Sequence, residues 1–261
     1  MNYFIADILN EEGITLFRQL SASKVRTLKA PIDGVRSYII MLLPYRNPET
    51  ERNVARFASF PDYHTAVTEL LERVCKKLSQ KFPKEKFYPS VDNSPIAEVA
   101  AAVECGLGVL GKNGLLINRF YGSYCFIAEI ATTMTLSESV SEADSKVCLN
   151  CGMCLDACPT GALSASGFVK EKCISHLTQK KGELTYGEQQ MIRSYELIWG
   201  CDRCQEICPM NSQARYTHLE CFRETAPIIT EEMINDPEFF DKSPFAWRKK
   251  ETILRNIKLK K

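Results

Sequence analysis

The chain has 261 residues, 45% of them hydrophobic, enough to bury a full core in one large domain or two smaller ones. A formal charge of +1 carries no bulk signal for a nucleic-acid or membrane partner. No apolar run of about 18 residues is present and residues 1–10 lack a signal-peptide pattern, so the twelve cysteines point to a reducing cytoplasm and metal ligation, not to disulfides.

Residues 1–30 read as a helix and a lead-in without recognisable chemistry. Ser37–Pro44 is a continuous apolar run ending at proline, which suits a buried strand. A polar loop over 46–60 precedes a helix over 62–82, where Val67, Leu70, Leu71, Val74, Cys75 and Leu78 make one apolar stripe. Phe87–Val91 reads as a short strand leading to Asp92. Ser94 and Pro95 then predict a helix start, as N-cap and first helical residue, with Gly106 placed to end that helix. Two further strands fall at 115–118 and 124–130. The fold class is therefore α+β: an α/β domain over 1–140, then a ferredoxin-like domain over 141–215. A Ser- and Glu-rich linker over 136–146 joins them. Residues 216–261 form a helical or irregular basic segment carrying Arg248, Lys249, Lys250, Arg255, Lys258, Lys260 and Lys261.

The cysteine spacing carries the chemistry. Cys148, Cys151 and Cys154 are each separated by two residues, and Cys158 follows after three more, with Pro159 behind it. This is ferredoxin-type [4Fe–4S] spacing, in which the fourth cysteine ligates the other cluster of a pair. The second motif is Cys201, Cys204 and Cys208, again followed by a proline. Cys208 completes the first cube with Cys148, Cys151 and Cys154. Cys158, Cys201 and Cys204 belong to the second, whose fourth ligand is best supplied by Cys173, with Cys221 as runner-up. Zinc is the competing metal, but a zinc ribbon has no use for the extra C-x3-C-P cysteine in both motifs. Cys75, Cys105 and Cys125 sit among apolar neighbours and read as small buried hydrophobes.

Two other motifs point elsewhere. Gly106, Gly108 and Gly111 match G-x-G-x-x-G, but a helix precedes them and a strand follows, the reverse of a dinucleotide fingerprint. With Lys112 they approach a phosphate-binding loop, yet Asn113 stands where a Ser or Thr must hold magnesium. What remains is a helix cap followed by a turn, or a backbone able to approach a ligand closely. Asp62 and His64 begin a D-x-H-x-x-G cobalt-ligation signature, but Val67 replaces its glycine, so axial ligation by His64 is not expected.

The segments occur in a specific order. Arg56-Phe57-Ala58 precedes Asp62-Tyr63-His64; Val91-Asp92 opens the segment ending in Gly108, Gly111, Lys112 and Asn113; Tyr121-Gly122-Ser123-Tyr124 follows. The first cluster motif runs into Thr160-Gly161-Ala162, and Cys173-Ile174-Ser175 lies ahead of Gly200 to Pro209 and Asn211. With these residues the chain resembles the epoxyqueuosine reductases, the cobalamin and iron–sulfur enzymes that finish queuosine in transfer RNA, over about residues 36–256. The resemblance implies two [4Fe–4S] clusters and a base-off cobalamin enclosed between the two domains. It carries Asp92 over as proton donor, and Tyr63, His64, Asp92, Gly108, Gly111, Lys112 and Asn113 as the cobalamin side of the site. It also implies a tRNA substrate, an external electron donor such as ferredoxin or flavodoxin, and no membrane.

For Asp92 to hold a proton at neutral pH, burial must raise its pKa; its alternative role is a helix-end carboxylate. Departures from the family pattern are Asn93-Ser94 in place of Thr-Gly, and His176 in place of an aromatic. Longer members also continue past Arg255-Asn256 into helical repeats that help hold the tRNA, which would leave that work to the two domains and the basic residues of 248–261. The rival readings are a corrinoid reductase of a small molecule, as in reductive dehalogenases, and an electron-transfer module.

Overall fold

The computed structural model describes residues 3–59, 61–139, 148–226 and 228–261. Its centre is the strand predicted from the apolar run, β2 (Ser37–Pro44), in which every residue is buried. Alternation divides those residues between two faces. Ile39, Met41 and Leu43 pack with Ile5 and Leu9 of helix α1 (Tyr3–Glu11) and with the Val67, Leu70, Leu71 and Val74 stripe of α2 (Tyr63–Lys81). Tyr38, Ile40 and Leu42 pack instead with Ala101, Ala102 and Cys105 of α3 (Glu98–Glu104). A strand covered on both faces needs no polar side, which is why it reads as an unbroken apolar run.

The sheet adds β1 (Phe17–Ser21), β3 (Phe87–Val91) and β6 (Cys125–Thr132) in the order β1-β2-β6-β3, and every pairing is antiparallel. A separate ribbon, β4 (Val109–Leu110) with β5 (Leu116–Ile117), lies between them in sequence. β3 is an edge strand and carries Pro89, as expected of a residue with no N–H to give a ladder. Along the other edge, the Gln19 N–H of β1 donates to the Ser139 hydroxyl and the Ser139 N–H to the Gln19 carbonyl. The rest of the predicted linker lies outside the described residues from 140 to 147.

The helix expected at Ser94-Pro95 begins later, at Glu98, with Ala97 as an uncapped start. The reason is a strand-like clamp. Thr27 bridges Ile96, the Pro95 carbonyl accepts from the Leu28 and Lys29 N–H groups, and the Ala97 N–H donates to Arg26. Ser94 caps only its own turn, accepting the Ile96 N–H at 3.1 Å. Gly106 ends α3 as expected: it sits at φ 75°, and the Leu107 N–H reaches back to Ala102.

The cysteine-rich half consists of short helices, among them α4 (Met153–Asp156), α5 (Ile174–Gln179), α6 (Tyr186–Arg193) and α7 (Arg203–Glu206). The final helix, Lys250–Lys260, packs on α5 and α6 with Ile253, Asn256 and Ile257 buried. Two of its cations are already engaged. Arg255 donates to the Lys180 and Gly182 carbonyls, and Lys260 to those of Ile192 and Tyr195. Among the described residues no helix is long and apolar enough to cross a membrane.

The two halves meet at Asp202, which is fully buried next to Cys201. It accepts the Arg56 N–H at 2.7 Å and pairs with Arg52 at 2.9 Å, while Val54 bridges Trp199 alongside. Replacing Arg52 with Ala should strand this carboxylate without its cation and cost about 3–5 kcal/mol of stability. Denaturant unfolding checks this, and Arg52→Ala/Asp202→Asn should recover part of the loss.

Candidate active site

The geometry of α2 and β3 decides where the functional side chains meet. β3 returns antiparallel to the direction of α2, so the start of the helix and the end of the strand lie at the same end of the sheet. Asp62 caps α2, accepting the His64 N–H at 3.2 Å. The His64 ring lies between two carboxylates: Nδ1 donates to Asp62 at 2.8 Å and Nε2 to Asp92 at 2.9 Å. Tyr63 donates to the same Asp92 oxygen at 3.2 Å. Burial disfavours the imidazolium, but the hydrogen bonds and charges of Asp62 and Asp92 outweigh it and lift the His64 pKa to about 9. The hydrogen bond from His64, with help from Tyr63 and Lys29, holds Asp92 below the usual carboxylate range against partial burial. This is the opposite of the upward shift that the sequence reading required. The cause is local: the Asp92 side chain is 61% exposed and paired with a cation.

Tyr63 opens an aromatic column. Its ring stacks on His64 at 3.9 Å on one side and on Phe126 of β6 at 4.2 Å on the other, and Tyr45 follows at 4.5 Å. Tyr45, Tyr63 and Phe126 form the sheet-side wall of a crevice of about 370 Å³. The opposite wall holds Cys158, Cys173, Cys201 and Cys204, the set expected around the second cube. A smaller cavity is lined by Cys148, Cys151, Cys154 and Cys208, the set expected around the first. Cys221 lines neither of these and lies near Arg73 of α2. Among the described residues, no three Cys, His, Asp or Glu side chains converge closely enough for a single metal ion. The two cysteine-lined cavities are the setting the residues offer to larger groups.

The remaining predicted residues separate. Asn113 lines both cavities and Lys112 only the smaller one. Gly108 and Gly111 line neither of these two cavities. A Cβ at either would meet Ile117 of β5 at 2.5 Å, so their lack of a side chain serves the β4–β5 ribbon. Cys75 and Cys105 are buried hydrophobes, whereas Cys125 lines the crevice. Its thiol is pushed up to about 12 by burial and stays protonated. The sequence reading also missed Tyr45, Ser123, Phe126 and Gln205 on the crevice walls. Gln205 donates to Tyr45 and Ser123, and Asn211 donates to Ser123 and to the Gln205 carbonyl. The signal was present in the alternation of β6, which turns Phe126 away from the α3 side.

Comparison with known proteins bears on this arrangement. Residues 26–93 match the family model described as epoxyqueuosine reductase QueG, DUF1730, and residues 147–211 match the 4Fe-4S double cluster binding domain. The epoxyqueuosine reductase of Leadbetterella byssophila is 31% identical over 242 residues, covering 87% of this chain and 77% of its own length. The chain belongs to the epoxyqueuosine reductase family. The Bacillus subtilis member is also 31% identical, over 92% of this chain and 66% of its own. Membership makes the chain an oxidoreductase with an iron–sulfur domain.

Solved structures agree on the fold. A selenomethionine-labelled epoxyqueuosine reductase superposes with a TM-score of 0.80 at 23% identity, covering 98% of this chain and 80% of that one. An epoxyqueuosine reductase bound to an epoxyqueuosine-modified tRNA stem loop gives 0.79 at 23%, over 98% and 79%. A catabolic reductive dehalogenase gives 0.56 at 16%, over 84% and 32%.

The His64 pairing makes a measurable demand. Its raised pKa stabilises the fold fully below about 6.5, the unfolded value, and that contribution is lost as pH rises through about 9. His64→Phe should remove this dependence and let the Asp92 carboxyl titrate at higher pH, followed by NMR of ¹³C-aspartate-labelled protein.

Proposed function

We propose that this chain reduces the epoxide of epoxyqueuosine in tRNA to queuosine, using two [4Fe–4S] clusters and a cobalamin. The observation that carries the reading is the crevice lined by cysteines and by the aromatic rings of Tyr45, Tyr63 and Phe126, with Asp92 just outside the lining and hydrogen-bonded to Tyr63. Cys148, Cys151, Cys154 and Cys208 would hold the outer cluster, and Cys158, Cys173, Cys201 and Cys204 the inner one. Tyr45, Tyr63 and Phe126 would bound the corrinoid, and Asn113 stands between the cavities. When bound, a reduced corrinoid supplies low-potential electron chemistry that no amino-acid side chain can provide.

Converting an epoxide to an alkene consumes an electron pair and two protons and releases water. External electrons are therefore required, and a small carrier protein such as a ferredoxin or flavodoxin fits the exposed Cys151 edge of the outer site. Solvent water supplies one of the two protons, and the protein the other. In the resting site His64 carries it, in contact with Asp92 Oδ2, and Asp92 delivers it toward the substrate oxygen. Tyr63 keeps the carboxylate oriented. Charge on the tRNA backbone would meet the cations of the 248–261 segment that are not committed to carbonyls, Lys249, Lys250 and Lys258 among them.

Anaerobic protein supplied with cobalamin should contain about eight iron atoms and convert epoxyqueuosine-containing tRNA to the queuosine form. Absence of that product, with both cofactors bound, would overturn the reading. Cys173→Ser should remove about half of the iron, whereas Cys221→Ser should leave it intact. Asp92→Asn should retain iron and corrinoid while losing roughly 10²- to 10⁴-fold in turnover.

A further inference from the structure

The Asp92 turn rests on two carboxyl groups that this chemistry does not use. Glu129, on β6, is 1% exposed; its Oε1 accepts the Ser94 hydroxyl, and its Oε2 has no partner among the described residues. Ser90 of β3 stands directly across from it. Glu98, the first residue of α3, faces both Glu129 and the Asp92 N–H, and its Oε1 is likewise buried without a partner. Two ionised carboxylates in that setting would repel each other and leave one oxygen on each without a donor, at greater cost than keeping a proton. One shared proton turns either group into the donor the other needs. Asp92 has particular need of such support. Its φ of 57° is left-handed, a conformation Asp adopts more readily than most non-glycine residues but still at a cost that surrounding contacts must offset. Here the Ser94 N–H reaches the Asp92 carbonyl, and Glu98 lies against the Asp92 N–H.

We propose that Glu98 and Glu129 share one proton and together hold the Asp92 turn, as positioning residues for the proton delivery assigned to Asp92 above, a reading on which this inference rests. The other titratable groups around the pair are Asp92 itself, His64, Tyr63 and Lys29 behind it, and Tyr38 of β2. Burial, then the charges of Glu129 and Asp92, raise Glu98 to about 9. Burial also raises Glu129, to about 7, against the hydrogen bond from Ser94. Carboxyls lifted in this way bind protons on folding. Their contribution to stability therefore falls as pH rises from about 4.3, the unfolded value, to about 9.

The test uses cluster-loaded protein labelled with ¹³C-glutamate. Infrared spectra at neutral pH should show a protonated-carboxyl band in wild type, and Glu98→Gln and Glu129→Gln should each remove it. Glu98→Gln should also flatten the fall of Tm with pH by about one proton's worth. In turnover, Glu129→Leu should lower kcat about 10- to 100-fold at unchanged KM through misplacement of Asp92, and Glu129→Gln, which restores a donor, should recover most of that loss. A wild-type spectrum without the band, or a band that survives both Gln variants, overturns the shared proton. Full kcat in Glu129→Leu overturns the positioning role. If Asp92→Asn is itself fully active, the reading of Asp92 fails, while the band and the Tm slope still decide the shared proton. Should Glu129 variants fail to fold, Glu98→Gln at the half-buried helix start decides the matter through the same band and slope.

Discussion

A buried carboxylate joins the cysteine-rich half of this chain to the sheet. Asp202 has no exposed surface, and it reaches Arg52 and the Arg56 backbone on the other side of the seam. A charge removed from water in this way is tolerable only while its partners stay in place. Those partners lie in the loop before α2, so the same contact that satisfies Asp202 places that loop against Cys201. Around it, Gln205 and Asn211 tie the second cysteine motif to Ser123 and Tyr45. The two walls of the crevice are tied by buried polar bonds whose loss would leave groups unpaired on both sides.

The chemistry follows from that docking. Cysteines face aromatic rings across the crevice, and the aromatic column ends at a histidine held between two aspartates. The His64–Asp92 pair and the cysteine-lined wall are consequently linked through one continuous set of aromatic contacts. His64 lowers the pKa of Asp92 further, and Asp92 with Asp62 raises that of His64, so the two titrations are coupled.

Much of this was legible in the sequence, and the remainder was not for identifiable reasons. The apolar run of β2 and the stripe of α2 announced themselves because each is buried along its whole length or along one face. Cysteine spacing is local chemistry, and the eight expected ligands fall into the two expected cavities. The start of α3 was misplaced because Thr27 and its neighbours clamp residues 94–97, a tertiary override of a good capping signal. Gly108 and Gly111 read as a cap and turn or as room for a ligand; that Ile117 fills the space a side chain would need is visible only in the packing. Asp92 showed its location but not its ionisation, because its partner lies 28 residues away.

The edges of the sheet have a consequence for association. An open strand edge is a template onto which another polypeptide can add its own backbone. Here one edge presents Pro89, which has no N–H to donate, and the other is occupied by Ser139 bonded to Gln19. Each edge of the four-stranded sheet thus carries one obstacle to strand addition, a missing donor on β3 and a hydrogen-bonded Ser139 on β1, and both disfavour a partner that would continue the sheet.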